Sequence, residues 1–455
     1  MINNLFAKTV LSAAAVAAFT LPAHATNGMF MPGYGAKSIA MGGVGVAYAQ
    51  DGFAAAANPA GISRMGFRID GNLGLFNAPR YAAVGTAAGA TGIGSPFRFN
   101  DGSTSLNNLF PVPGLAATMD FDDKLTLGMA MVGAGMNTTY DHNFYAGNPS
   151  PYLGASFDSK LGVDLIQVSM PMTAAYQVDE HNAVGLSIVP AVQFFKAYGL
   201  QAFTSFNLTT SQGTDYFTNK GRDEAHGAGA RVGWTGKYFD NRLTLGATYA
   251  SKVYMSKFKR YKGLFAQGGS MDIPANWALG IAFKPTKNTT VTLDREYIKY
   301  AGVKSIHNPG PGTPKGVTGI PALATNPPGG QIDDLLLGEE NGMGFGWNSQ
   351  TVYKFGVDYK YNNDWTFRAG YNYGKSPIPD NQLTFAALAP AIVEKHYAIG
   401  FTYAIDATSE FNFGYMYVPV RRQTACGAKS DQNVVYCTAL KMGENDIEFG
   451  YSLKF

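Results

Sequence analysis

The stretch Lys257-Phe258-Lys259-Arg260-Tyr261-Lys262-Gly263-Leu264-Phe265 carries the richest chemistry in the sequence. Cations are interleaved there with aromatic and aliphatic side chains. A molecule with a carboxylate head and a long apolar tail needs both, a cation for the head and an apolar wall for the tail. Lys259 and Arg260 are the candidate head-group partners. Phe258, Leu264 and Phe265 are the candidate tail contacts, because large apolar groups are costly to leave exposed. Phe203, Phe206 and Leu208 offer a second wall. Taken singly, the charges fit contact with anionic lipopolysaccharide, or a solvated loop, better than they fit a ligand.

Covalent chemistry finds no support. The sequence has no GxSxG elbow, no HExxH helix and no P-loop. Its glycines lie inside strand patterns and not in a phosphate-cradling turn. Neither cysteine, Cys426 or Cys437, has the His or CxxC neighbour of a metal site, so no metal and no cofactor is expected. In an exported chain the two should form a disulfide, a bridge contributing about 3 kcal/mol in the loop-entropy model. The formal charge of +3, or +2 without Lys8, gives no case for a nucleic-acid partner.

These side chains must be positioned by strands. From Glu444 to Phe455 one face is Ile447, Phe449, Tyr451, Leu453 and Phe455, and the other is Asp446, Glu448, Gly450, Ser452 and Lys454. A side-chain period of two places one face against something apolar and the other against something polar. A chain ending in this way reads as the closing strand of an outer-membrane β-barrel. Residues 1–25, with Lys8, an apolar run from Val10 to Leu21 and Ala23-His24-Ala25, read as a secretory signal peptide. No later apolar run reaches the roughly 18 residues of a spanning helix. The 26 Tyr and 30 Phe, with only 15% charged residues, suit the aromatic girdles of a barrel.

Fourteen strands in hairpin order are predicted, at 67–78, 114–121, 125–136, 165–178, 183–198, 227–238, 243–256, 275–285, 289–303, 350–361, 365–376, 395–405, 409–420 and 444–455. Short polar turns such as Asp122-Asp123-Lys124 and Asn362-Asn363-Asp364 alternate with long connections, as periplasmic turns and extracellular loops do. The longest connection, 304–349, holds a short candidate helix from Gln331 to Glu340. A charge on the lipid face near the midplane costs roughly 2–4 kcal/mol, so Lys354 and Arg368 should face inward. Arg295 is a further inward candidate. Residues 26–66 are too rich in Gly and Ala for a lipid-facing strand. They hang below the barrel or fold into its lumen.

Gly35-Ala36-Lys37-Ser38-Ile39-Ala40-Met41-Gly42-Gly43-Val44-Gly45-Val46-Ala47, followed by Asn58-Pro59-Ala60-Gly61-Ile62, resembles the luminal hatch of the FadL family of outer-membrane transporters of long-chain fatty acids and hydrocarbons. Asp272-Ile273-Pro274-Ala275-Asn276 and Arg368-Ala369-Gly370-Tyr371-Asn372-Tyr373-Gly374 extend the resemblance along the chain. It implies an all-β transmembrane fold: a 14-stranded antiparallel barrel over 67–455, plugged by a small helical hatch over 26–66. It also implies a route. A hydrophobic ligand lands on the outer loops and moves to a pocket beside the hatch N-terminus. The hatch then rearranges, and the ligand leaves sideways into the membrane. A fatty chain gains about 0.8 kcal/mol per CH₂ on leaving water, which favours a lipid exit.

On that reading Gly42, Gly43, Asn58, Pro59 and Ala60 shape the hatch, Asn58 and Pro59 by fixing a turn. A wall opening needs broken strand pairing. Gly133 and Gly135, in the strand the family kinks, are the first candidates. Pro171 and Pro190 are the second, expected to face each other across the hairpin turning at Glu180-His181. Either set could instead only curve the wall. The expected function is uptake of long-chain fatty acids. Hydrocarbon uptake by the same route, or a surface adhesin or phage receptor, are the alternatives. The expected surroundings are outer-membrane lipid and lipopolysaccharide, with the chain a monomer.

Overall fold

The computed structural model describes residues 27–86, 102–144, 160–201, 215–310, 336–426 and 436–455. One antiparallel sheet closes on itself. Its fourteen strands are β1 (Arg68–Asn77, continuing as Arg80–Thr86), β2 (Gly102–Thr104 and Leu109–Asp120), β3 (Leu125–Tyr140), β4 (Leu161–Ser169 and Met172–Gln177), β5 (Asn182–Tyr198), β6 (Asp223–Tyr238), β7 (Leu243–Ala250 and Tyr254–Met255), β8 (Asn276–Thr286), β9 (Thr289–Ile298), β10 (Gln350–Lys360), β11 (Trp365–Gly374), β12 (Lys395–Ala404), β13 (Ser409–Cys426) and β14 (Tyr436–Lys454). Closure comes from β1 pairing with β14 on one side and β2 on the other. Every strand thus finds hydrogen-bond partners, the condition for β-structure in a bilayer. Residues 1–26, with the candidate signal peptide, lie outside the described residues.

The strand number matches the period-two reading, while several ends differ. β3 runs on to Tyr140 and β13 to Cys426, because the barrel wall continues beyond the apolar band into the outer loops. The expected helix over Gln331 to Glu340 is not helical in its described part, where 336–340 form turns and an isolated bridge. Outward side chains such as Leu186, Ile188, Leu279 and Ile399 are more than half exposed, the pattern of a lipid-facing wall. Lys354 and Arg368 do point inward and are buried. Arg295 does not. It lies one position out of step with inward Asp294 and Glu296, and its guanidinium sits 5.0 Å from the Trp277 ring centroid. A long cationic stem on an outer face can reach polar surroundings this way.

The β13–β14 register sets Cys426 opposite Cys437. Directly opposed residues have Cα atoms about 4.5–5.5 Å apart, within disulfide range. Alkylation of unreduced, denatured protein with a maleimide should therefore leave both thiols unlabelled. Labelling of both without reductant would exclude the bridge.

Residues 27–66 fill the lumen. They form two short helices, α1 (Ala36–Ala40) and α2 (Ala54–Ala57), and a 3₁₀ turn (Pro59–Ile62). The wall makes room with glycines opposed in pairs across adjacent strands: Gly185 and Gly233, Gly246 and Gly280, Gly356 and Gly370, Gly400 and Gly414. A methyl on Gly280 would lie 2.8 Å from the Ala47 amide, on Gly356 2.8 Å from Met41 Cβ, and on Gly414 2.7 Å from the Ala36 carbonyl. At Gly370 it would overlap the Gly42 amide. Four successive hatch segments thus rest in four notches that no other residue type leaves open.

Candidate functional site

Polar clamps supplement the notches. Asp294 of β9 accepts hydrogen bonds from the Gly45 and Val46 amides at 2.8 and 3.0 Å. Lys354 donates to the Pro32 carbonyl at 2.8 Å and pairs with Glu296 at 2.7 Å. Arg368 pairs with Asp358 at 2.9 Å and donates to Gln50 at 2.9 Å. These inward charges therefore hold the hatch and its cradle. Lys37 of α1 pairs with Glu410 of β13, which Lys454 also reaches at 2.8 Å.

Asn58 joins three places at once. Its side-chain amide donates to the Val46 carbonyl at 2.7 Å and the Trp234 carbonyl at 3.0 Å, while its oxygen accepts from the Ala60 amide at 3.2 Å. Pro59 opens the 3₁₀ turn that this bond caps. Gly42 and Gly43 have φ of 72° and 88°, and a methyl on Gly43 would overlap the Pro32 carbonyl. Each proposed hatch residue thus sits where the plug turns or meets the wall.

Burial pushes the Asp51 carboxyl up to about 6, with Asp70 adding to the push and Lys37 and Arg68 opposing it. A carboxyl raised in the folded state stabilises fully below its unfolded value near 3.8, and that contribution is lost as pH rises through about 6. Asp51→Asn should therefore protect the Phe53 amide from hydrogen exchange more than the wild type at pH 8, with little difference at pH 4. Equal protection at pH 8 would show that the buried charge is not destabilising.

A cavity of about 60 Å³ lies above α2. Phe30, Met31, Tyr34 and Ala56 of the hatch form one side. On the other, Val132, Gly133 and Ala134 of β3 line it with Ser169 and Pro171 of β4. Gly133 carries no side chain, so the cavity reaches the β3 backbone between Val132 and Ala134. Among the described residues lining it, Arg231 is the single charged one, and its Nη1 donates to the Ala57 carbonyl at 2.8 Å.

The wall is interrupted beside this cavity, and the interruption lies in β4. That strand breaks at Met170 and Pro171. The Ala130 amide donates to the Pro171 carbonyl at 3.1 Å, and the Met170 amide to the Pro190 carbonyl at 2.9 Å. In each bonded pair the reciprocal donor would be a proline nitrogen, which carries no hydrogen. Two ladder bonds are therefore missing within one turn of wall. The prolines are not opposed as expected. The register sets Pro190 against Met170, because the hairpin closes from Val178 to Asn182 over a three-residue loop. Pro190 itself lies in an unbroken β5. Gly133 and Gly135 stay paired with Val168 and Ile166, so β3 is continuous, although Gly135 has φ of 154°.

The outer-loop ligand residues divide. Phe258, Leu264 and Phe265 are buried with Phe195 and Tyr261, with Phe195 and Phe265 ring centroids 4.7 Å apart. They do not line an open groove, because the loop folds inward over the lumen. Lys259 and Arg260 are exposed on its outer side, and the Arg260 guanidinium donates to the Lys220 carbonyl at 3.0 Å. The head-group cations and the apolar residues thus face opposite ways. Phe203, Phe206 and Leu208 lie outside the described residues.

Closed barrel, luminal plug and a cavity against a weakened wall define a plugged outer-membrane transport barrel. Residues 8–442 match the family model described as outer membrane protein transport protein (OMPP1/FadL/TodX), and the chain belongs to that family. Its members are transporters of hydrophobic molecules in the outer membrane, not enzymes. Among solved structures, the Pseudomonas putida toluene transporter TodX is similar, with 20% identity, 93% of this chain and 99% of that chain covered, and a TM-score of 0.61. A Pseudomonas aeruginosa FadL homologue gives 14%, 94%, 100% and 0.64. A Chlorobium limicola protein, described as an uncharacterized protein in the phosphoenolpyruvate carboxykinase gene 5' region, is 48% identical over 73 residues. That match spans 14% of this chain and 36% of the relative.

Proposed function

We propose that this chain takes up hydrophobic molecules, long-chain fatty acids first, and releases them sideways into the membrane between β3 and β4. The observation that carries the reading is the coincidence of cavity and wall break. Gly133 and Pro171 line the same apolar space that the hatch residues Phe30, Met31 and Tyr34 close. At about 60 Å³ the space is smaller than the roughly 150 Å³ that admits benzene in an engineered protein cavity. Passage therefore requires residues 30–34, or the wall, to move. Arg231 is the carboxylate partner inside, and the aromatic cluster around Phe258 is the closed gate beneath the outer loops. A neutral hydrocarbon would use the same route without Arg231.

The route supposes an export signal over 1–25, a hatch over 26–66 and a barrel over 67–455, acting as a monomer among lipid and lipopolysaccharide. Uptake of labelled oleate and toluene, by cells lacking their own transporter, tests the substrate. Arg231→Gln should slow oleate about tenfold or more and leave toluene unchanged. Equal loss of both would remove the carboxylate role. Transport of neither substrate by a correctly inserted barrel would favour the adhesin or phage-receptor reading.

A further inference from the structure

The hatch has a second cavity on its opposite side. It measures about 350 Å³, within the usual range of small-molecule sites. Hatch residues 47–50 and 63–65 roof it, and the short-turn ends of the strands wall it, the periplasmic end of a barrel. Its character is the reverse of the first cavity. Arg64, Arg68, Lys237, Arg242 and Lys284 line it, and no carboxylate stands among the described residues that do.

Four of these cations have no carboxylate partner among the described residues. Arg68 is committed to Asp70 at 2.6 Å and to Glu410 at 3.6 Å. Arg64 donates instead to the Asp123 carbonyl at 3.2 Å. Arg242 donates to the Lys284 and Pro285 carbonyls at 3.4 Å each. Carbonyls orient a guanidinium without cancelling its charge. Lys237 and Lys284 form no ion pair among the described residues. The turn carboxylates Asp122 and Asp179 accept from backbone amides, Asp122 from Lys124 and Leu125 at 2.8 Å each and Asp179 from His181 and Asn182 at 2.8 and 2.7 Å. Among the described residues no turn carboxylate, Asp123, Glu180 and Asp240 included, forms an ion pair with these four cations. Like charges held around a cleft focus a positive field into it. Such an arrangement gains stability when an anion enters.

We propose that this vestibule binds a small oxyanion, carboxylate or phosphate, presented from the periplasm either free or as the head of an amphiphile. The site is separate from the luminal route, since the hatch lies between the two cavities. It gives the barrel a second ligand class, read by charge and not by apolar fit.

The test uses the purified full chain in nonionic detergent at low salt. Isothermal titration is run with octyl phosphate, octanoate, octanol and inorganic phosphate. Saturable binding of octyl phosphate or octanoate, without binding of octanol, is expected. Inorganic phosphate separates the sources: affinity equal to octyl phosphate assigns the site to free phosphate, and clearly weaker affinity assigns it to an amphiphile head. Lys237→Glu with Lys284→Glu should weaken binding about tenfold or more, whereas Lys237→Arg with Lys284→Arg should retain it. Oleate uptake should be unchanged in both variants. Octanol binding as tightly as octanoate, or unchanged affinity after charge reversal in a folded barrel, would overturn the proposal. Loss of oleate uptake on charge reversal would overturn the separateness of the site.

Discussion

Replacing Pro171 and Pro190 together by alanine should raise the thermal stability of the barrel and slow oleate uptake about tenfold or more. The two prolines delete reciprocal ladder donors at adjoining pairs, one between β3 and β4 and one between β4 and β5. An unmade backbone bond in hydrocarbon costs several kcal/mol, whereas the net gain of a made one is about 0.5–1.5 kcal/mol in ordinary protein surroundings. Alanine supplies both missing hydrogens. The wall should then close over the cavity that Pro171 lines. The informative comparison is uptake against melting midpoint in the same variant. A more stable barrel that transports at the wild-type rate would place the exit elsewhere. Slower uptake in a less stable barrel would point to misfolding instead.

Gly370→Leu should give a folded barrel that leaks. At Gly370 even a methyl overlaps the backbone of Met41 and Gly42. Its cross-strand partner Gly356 leaves no slack, since a methyl there would already stand 2.8 Å from Met41 Cβ. The β-sheet pairing of β10 and β11 does not depend on the absent side chain, so the wall persists while the hatch is displaced. Conductance in planar bilayers should rise about tenfold or more, approaching that of a barrel lacking residues 26–66, because an open lumen of this strand number is wide enough for water. Unchanged conductance in both variants would mean that the hatch does not seal the lumen.

The fold was legible because a lipid-facing strand advertises itself. Outward Tyr353, Phe355 and Val357 against inward Lys354, Gly356 and Asp358 leave one register and one orientation. Inward glycines such as Gly356 and Gly370 were visible as types, but their meeting across the ladder required the register. The wall break shows the same limit. Pro171 could be picked out as a donor-free residue, yet placing it opposite Pro190 assumed a four-residue turn where three residues close the hairpin. Loop residues gave least away. Phe258 and Phe265 have no alternation to assign a face, and burial under an inward-folding loop is a tertiary outcome. Arg231 offered no signal at all, since one arginine in a strand is ordinary and only the Ala57 carbonyl and the neighbouring cavity distinguish it.

Cargo that leaves between β3 and β4 must be stopped by a reversible staple across that seam. Met129 stands opposite Met172 below the break, and Gly133 opposite Val168 above it. Both pairs are an odd number of residues from the bonded Ala130–Pro171 pair, so they are the closer, non-bonded kind with Cα atoms about 4.5 Å apart, within reach of a disulfide. Cysteines at each pair, in a background with Cys426→Ser and Cys437→Ser, would be oxidised on intact cells before oleate uptake is measured. Uptake should stop on oxidation and return with dithiothreitol. Uptake that continues at the unstapled rate through a fully cross-linked seam would place the exit elsewhere.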